Sequence, residues 1–310
     1  MNRHLSRNTR HASILPCPRR ILPEKPLPRQ DSPKALGNEG LKRRRRQTAM
    51  QNGLKKALIL SMLPSNLSYV ERFHLAKEVG FDGIEAPPIS DPEEIKKIRA
   101  ASELSGVPVH SIIYGGWHAP LSSADPRTVE KGLQDVQAAL HCAKELGADT
   151  VLLVPAIVNE STRYADAYTR SQQNIRKLIP LAEKLKVVIA VENVWNNFLL
   201  SPLEFARYVD EFRSPFVKAY FDVGNVLAFG WSEDWIRTLG KRIQRIHLKD
   251  FKRSTRQFVN LLEGDVNWRE VRKALDEIGY RGFLTAELGG GDANYLRDVA
   301  QRIDRIIAGV

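Results

Sequence analysis

From residue 56 onward, short continuous apolar runs alternate with longer segments whose apolar positions recur every three to four residues. The runs predict strands over Lys56–Met62, Gly83–Ala86, Val109–Tyr114, Thr150–Val154, Val187–Glu192, Val217–Asp222, Ile243–Leu248 and Phe283–Glu287. Helical periodicity follows each of them, over Tyr69–Val79, Pro92–Ser105, Pro126–Leu146, Ala165–Leu185, a segment opening at Ser201-Pro202, Asp234–Leu239, Trp268–Ile278 and Ala293–Ile307. Gly80, Gly106 and Gly147 stand where helices should stop, and Asp125-Pro126 stands where one should start. Apolar residues along the whole of a strand imply burial of both its faces, the habit of parallel sheets covered by helices. Eight β-then-α units in about 250 residues point to an α/β fold, a (β/α)8 TIM barrel. An open doubly wound sheet would be expected to carry a Gly-rich phosphate loop after its first strand, and Ser61-Met62-Leu63-Pro64 is not one.

Charge changes the picture only at the N-terminus. Of 47 Lys/Arg and 36 Asp/Glu, thirteen and three lie in residues 1–50, leaving 34 and 33 for the rest. The formal charge of +11 is therefore almost wholly terminal, and the body has no basic field to steer a nucleic acid. Six prolines between residues 16 and 33 and the run Lys42–Arg46, without a sustained apolar period, predict a disordered basic tail over residues 1–53. Met50 is a candidate functional start, and the barrel is expected over 54–310. The apolar stretch after the arginines, Ala57–Leu60, is too short for an export signal and serves better as a strand. Two cysteines, Cys17 and Cys142, make neither a disulfide framework nor a thiolate metal site, which fits a reducing cytoplasm. No apolar run reaches the roughly 18–20 residues that span a bilayer.

In such a barrel, residues at the C-terminal ends of strands face the site of chemistry. Those ends carry Glu85, Tyr114 with His118 just beyond, Pro155, Glu192, Asp222, His247 and Glu287. One carboxylate at a strand end is usually a solvated cap, and one histidine is usually a satisfied core residue. Several converging on one axis would repel each other unless a cation lay between them. Glu192, Asp222, His247 and Glu287, on the ends of four successive strands, are the candidate ligands. Three carboxylates and one imidazole form a mainly hard donor set, favouring Mn²⁺ or Mg²⁺, with Co²⁺ and Zn²⁺ admissible.

The motifs Val191-Glu192-Asn193, Phe221-Asp222-Val223-Gly224-Asn225, Ile246-His247-Leu248-Lys249-Asp250 and Thr285-Ala286-Glu287 resemble those of the xylose isomerase-like TIM barrel superfamily, in particular its sugar-phosphate isomerase/epimerase branch. Gly80–Glu85, Glu263–Trp268 and Gly279–Gly282 extend the likeness, which covers about residues 54–308. The branch includes L-ribulose-5-phosphate 3-epimerase, ketose 3-epimerases and hydroxypyruvate isomerase. The resemblance implies one divalent metal on Glu192, Asp222, His247 and Glu287, with Glu192 and Glu287 doubling as the acid/base pair. One glutamate would take a carbon-bound proton beside a ketose carbonyl, giving a cis-enediolate. The other would return a proton to the opposite face, or to the neighbouring carbon for aldose–ketose isomerisation. His118, Glu85, Arg253, Asn225 and Lys249 are the expected substrate contacts, with Glu85 alternatively orienting another site residue and Lys249, Lys252 and Arg253 able to meet a phosphate. Asn225 stands where some relatives carry histidine, and Phe198 where the free-ketose epimerases carry glutamate. Trp117, Trp195 and Trp231 either wall the site or pack its loops. The expected partner is a small sugar or sugar phosphate, with a homodimer or homotetramer as the family's usual assembly and neither nucleic acid nor membrane.

Three other functions compete. An inosose-type dehydratase would use the same metal site and then expel water. A non-catalytic sugar-binding barrel would have no need of two opposed proton carriers. An endonuclease IV-like repair enzyme would need a histidine-rich multi-zinc cluster, and only His110, His118 and His247 are placed to reach the mouth.

Overall fold

The computed structural model describes residues 53–310. Apart from Gly53, the expected basic tail over 1–53 and the candidate start at Met50 fall outside the described residues. Eight parallel strands close a barrel in chain order: β1 (Leu54–Ile59), β2 (Gly83–Ala86), β3 (Val109–Gly115), β4 (Thr150–Leu153), β5 (Val188–Glu192), β6 (Val217–Asp222), β7 (Ile243–Leu248) and β10 (Gly282–Ala286). The ring closes where β1 pairs with β10 through Leu54↔Gly282 and with β2 through Ala57↔Gly83. The remaining strands, β8 (Asp250–Lys252) and β9 (Gln257–Val259), form an antiparallel hairpin in the loop after β7.

Eight helices surround the ring: α1 (Tyr69–Val79), α2 (Pro92–Ser105), α3 (Pro126–Leu146), α4 (Tyr164–Leu185), α5 (Pro202–Asp210), α6 (Ser232–Leu239), α7 (Trp268–Glu277) and α8 (Ala293–Ala308). Their limits follow local chemistry. Ser68 and Glu71 form a reciprocal capping box at the start of α1, and Asp91, Asp125, Asn267 and Asp292 accept backbone N–H bonds at the starts of α2, α3, α7 and α8. Gly80 closes α1 with φ of 107°, a conformation that a Cβ would penalise.

Register places the site. Pairing of β6 with β7 sets Asp222 beside His247, and pairing of β7 with β10 sets His247 beside Thr285, two residues before Glu287. The main core lies between the barrel and the helices, with Phe73, Ile98, Phe205, Phe221 and Val271 fully buried there. Inside the ring, Leu152, Ala190 and Tyr220 form a separate small cluster with Ile113 against it. The interior facing β2, β3, β7 and β10 is polar instead, with Glu85, His110, Ser111, His247 and Thr285 all buried.

Two elements differ from the sequence pattern. The first strand begins at Leu54 and gives way at Leu60–Met62 to a 3₁₀ turn. Leu60, Met62 and Leu63 stay buried after the chain leaves the sheet, so the apolar run outlasts the strand. The β8–β9 hairpin has no counterpart in the sequence pattern, because two three-residue strands leave no measurable alternation.

Candidate active site

The ends of β5, β6, β7 and β10 bring Glu192, Asp222, His247 and Glu287 together, with one donor atom of each within 4.8 Å of the others. Glu192, Asp222 and His247 are buried, whereas the Glu287 side chain keeps 23% of its surface exposed, so the cluster opens on that side. His247 Nδ1 lies 2.9 Å from Glu192 Oε1 and 2.8 Å from Glu287 Oε2. Its other nitrogen, Nε2, lies 2.6 Å from Glu85 Oε2, and the Tyr220 ring stands 4.4 Å from the imidazole.

Local structure explains each placement. Asn193 braces the Asp222 backbone from both sides, donating Nδ2–H to the carbonyl oxygen and accepting the amide N–H, each at 2.9 Å. The Asn225 amide N–H donates to Asp222 Oδ1 at 2.6 Å, fixing the carboxylate's rotation. Gly224 lets this turn approach Lys249, because a Cβ there would come within 2.6 Å of the Lys249 Cβ. Below the hairpin, Asp250 accepts from Phe251 N–H (2.9 Å), Val266 N–H (3.2 Å) and Trp268 Nε1–H (2.9 Å), tying β8 to the Gly264–Trp268 turn.

Electrostatics shows how heavily the cluster is loaded with negative charge. Burial, with the charge of Glu287 adding to it, pushes the Glu192 carboxyl up to about 7 despite the hydrogen bond to His247. Burial also raises Asp222. At Glu287, burial is outweighed by His247 and Lys249, which hold its carboxyl well below the usual range. Burial disfavours the imidazolium of His247, but Tyr220, Glu287, Glu85 and Glu192 outweigh it and raise the pKa well above the ordinary value. The Lys249 ammonium reaches Glu287 Oε2 at 2.8 Å and Asp222 Oδ2 at 3.2 Å. Both oxygens are buried, yet neither accepts a properly aligned hydrogen bond. Three carboxylates and an imidazole converging within 4.8 Å fit a hard divalent ion, which would be held by one oxygen of each carboxylate and Nδ1 of the imidazole.

The five expected substrate contacts are distributed unevenly. Lys249 lies in the cluster itself, against Asp222 and Glu287. Glu85 is fully buried behind His247. Asn225 is 5% exposed, and its side-chain amide donates to the Asn193 carbonyl at 3.0 Å. His118 is exposed in the loop after β3, with Nε2 3.0 Å from Asp135. Arg253 sits beyond the hairpin, its guanidinium 3.9 Å from the Trp231 ring centroid and hydrogen-bonded to the Gly230 carbonyl. Phe198 is buried in an aromatic cluster with Tyr164, Tyr168 and Tyr208. Trp195 stacks at 5.0 Å on Phe258, which lies within 5.5 Å of the Lys249 ammonium. Phe258 escaped the sequence reading because the hairpin did, and Ser111 escaped because a serine inside a strand carries no signal of its own. His110 lies inside the ring, stacked at 4.2 Å on Phe283, and burial with the nearby Arg245 and His247 keeps its pKa well below the ordinary value.

Fold and side-chain geometry define an eight-stranded parallel barrel with a candidate cation site at the C-terminal ends of four consecutive strands. The chain belongs to the xylose isomerase-like TIM barrel family, whose model matches residues 73–306. Among similar proteins, SgbU of Escherichia coli K12 is 28% identical over 244 residues, covering 73% of this chain and 85% of its own. The L-ribulose-5-phosphate 3-epimerase UlaE of E. coli O157:H7 is 25% identical over 243 residues, covering 73% of this chain and 84% of its own. The crystal structure of the E. coli 3-keto-D-glucoside 4-epimerase YcjR superposes with a TM-score of 0.70 at 17% identity, over 81% of this chain and 99% of that one. That last likeness is one of fold.

Proposed function

We propose that the protein is a divalent-metal-dependent epimerase of a small ketose or ketose phosphate, with Glu192 and Glu287 as its acid/base pair. The observation that carries this reading is the approach of both glutamates to His247 Nδ1, at 2.9 and 2.8 Å, from strands on either side of it. Two carboxylates converging from different strands can serve opposite faces of one carbon, as inversion requires. The names of sequence relatives such as UlaE support a sugar substrate and reaction at a carbon next to the carbonyl.

A bound divalent ion supplies electrophilic polarisation of the substrate's carbonyl and neighbouring hydroxyl oxygens. Glu192, Asp222, His247 and Glu287 would hold it. Glu192, buried at the end of β5, is placed to exchange a proton with a substrate carbon from one side. Glu287 keeps 23% of its side chain exposed toward the mouth, where a substrate enters, which suits it to the first proton transfer. We assign it that step, with Glu192 returning a proton to the opposite face of the planar enediolate. Lys249, beside both Asp222 and Glu287, can donate to a substrate oxygen once those carboxylates turn to the cation. Arg253, held flat on Trp231, offers a cation at the rim for a terminal phosphate.

The test is solvent-deuterium exchange. Chelator-stripped protein is reloaded separately with Mn²⁺, Mg²⁺, Co²⁺ or Zn²⁺ and incubated in D₂O with L-ribulose 5-phosphate and with free ketoses. Mass analysis should find a single non-exchangeable deuterium in recovered substrate and product. Loss of water would select the dehydratase instead, and no exchange with any ketose, together with no metal uptake, rejects the proposal.

A further inference from the structure

We propose that Glu85 is a positioning residue that holds His247 with Nδ1 turned toward Glu192, Asp222 and Glu287, and that a hydrogen-bond chain from Thr285 through His110 and Ser111 holds Glu85 in turn. This rests on the cation site of the preceding reading and adds to it the way the imidazole is presented. All five side chains lie inside the barrel and are at most 4% exposed. Shielded from bulk solvent, their donors are costly to leave unmet, and each is met by a neighbour.

The direction of each bond follows from counting hydrogens. The Ser111 hydroxyl has one, and it goes to Glu85 Oε1 at 2.7 Å. His110 Nδ1, 3.0 Å from the same hydroxyl, must therefore be the donor of that contact. A neutral His110 protonated on Nδ1 has a bare Nε2, which accepts from Thr285 Oγ1 at 3.2 Å. Every hydrogen in the chain thus points toward Glu85. One Glu85 oxygen receives Ser111, and the other, 2.6 Å from His247 Nε2, receives that N–H. With the proton held on Nε2, the Nδ1 lone pair is free for a cation. The contact joins residues 162 positions apart, on the ends of β2 and β7, so it is built by barrel closure and by no local motif. Partners of this kind orient a ligating imidazole and set its tautomer, and their loss typically weakens metal binding about 10–100-fold.

The experiment measures Mn²⁺ affinity by competition with a fluorescent chelator in wild type, Glu85→Gln, Glu85→Leu and Ser111→Ala, alongside thermal unfolding. Nitrogen-15 spectra of the histidines in the Zn²⁺-loaded and metal-free proteins read the tautomer. Glu85→Leu should bind Mn²⁺ about 10–100-fold more weakly. Glu85→Gln, which can still accept from Nε2–H, should stay within a few-fold of wild type. If Glu85→Leu does not fold, Ser111→Ala carries the test, with a loss of several-fold expected. The Zn²⁺-loaded wild type should show His247 protonated on Nε2. Equal affinity in wild type and Glu85→Leu, or a loss shared equally by Glu85→Gln, overturns the assignment, as does a metal-bound Nε2. If wild type itself takes up no metal, the cation reading fails separately. The metal-free spectra then decide the positioning alone: a His247 Nε2 resonance displaced in Glu85→Leu but not in Glu85→Gln supports it, and no displacement in Glu85→Leu overturns it.

Discussion

Strand β7 carries two buried polar side chains two residues apart, and their surroundings are opposite. Arg245, 8% exposed, meets one carboxylate, Asp149, donates to the Gln244 carbonyl at 2.9 Å and lies over the Phe283 ring. Charge there is balanced one to one, and the Asp149 side chain is 55% exposed, so water shares the load. His247, nearer the C-terminal end, is fully buried among Glu85, Glu192 and Glu287, with Asp222 alongside and only Lys249 to help neutralise them. Balanced pairing at the first position is what a structural tie looks like. An excess of buried carboxylate at the second is costly in the isolated chain and is what a cation-binding site would show.

The comparison is broken most severely through the glutamates. Glu287→Gln and Glu192→Gln should each lower kcat on the proposed substrates by about two to four orders of magnitude, while Arg245→Met leaves it within about twofold. Equal losses in all three, measured by steady-state kinetics on proteins of native circular dichroism, would erase the contrast between the two positions.

Acid should separate the positions next. Burial raises Glu192 to about 7, so the metal-free protein holds that proton up to near neutrality and must release it to bind a cation. His247 holds a second proton that a cation must displace, so Mn²⁺ affinity should fall by at least about tenfold for each pH unit below 7. The sign for stability is the reverse. A raised carboxylate pKa stabilises the metal-free fold below the unfolded-state value, and that contribution is lost as pH rises through about 7. Metal titrations between pH 5.5 and 8 check the first, and urea unfolding of metal-free protein over the same range checks the second.

Arg245→Ala sharpens the other half. It leaves a cavity beside Phe283 and removes a buried tie, and should cost about 2 kcal/mol in urea unfolding with no change in metal affinity. The smallest effect is expected at the rim. Trp231→Ala removes the face on which Arg253 rests and should raise KM for a phosphorylated ketose by about two- to fivefold, with kcat nearly unchanged.

Much of this was legible in the chain because barrel strands are buried on both faces. The runs ending in Glu192, Asp222, His247 and Glu287 mark their own C-terminal ends, and the barrel brings those ends together without further information. Helix limits were legible at Gly80 and Asp125, where one residue decides the backbone. What stayed hidden depends on tertiary contact. Glu85 reads from sequence as a group that orients the substrate or another site residue, and its contact with His247 spans 162 residues of sequence. Asn225 is expected beside the substrate, and the bond from its amide to the Asn193 carbonyl has no signal in the local sequence. Neither environment leaves a local trace, and the three-residue strands of the hairpin carry too little pattern to be seen.

The central claim, that four strand-end side chains share one divalent cation, is tested most directly by calorimetric titration of chelator-stripped protein with Mn²⁺ at pH 8. The wild type should bind one equivalent. Asp222→Asn, which weakens one ligand and keeps its shape, should bind at least about 100-fold more weakly. No binding by the wild type, or undiminished binding by Asp222→Asn, would contradict the account.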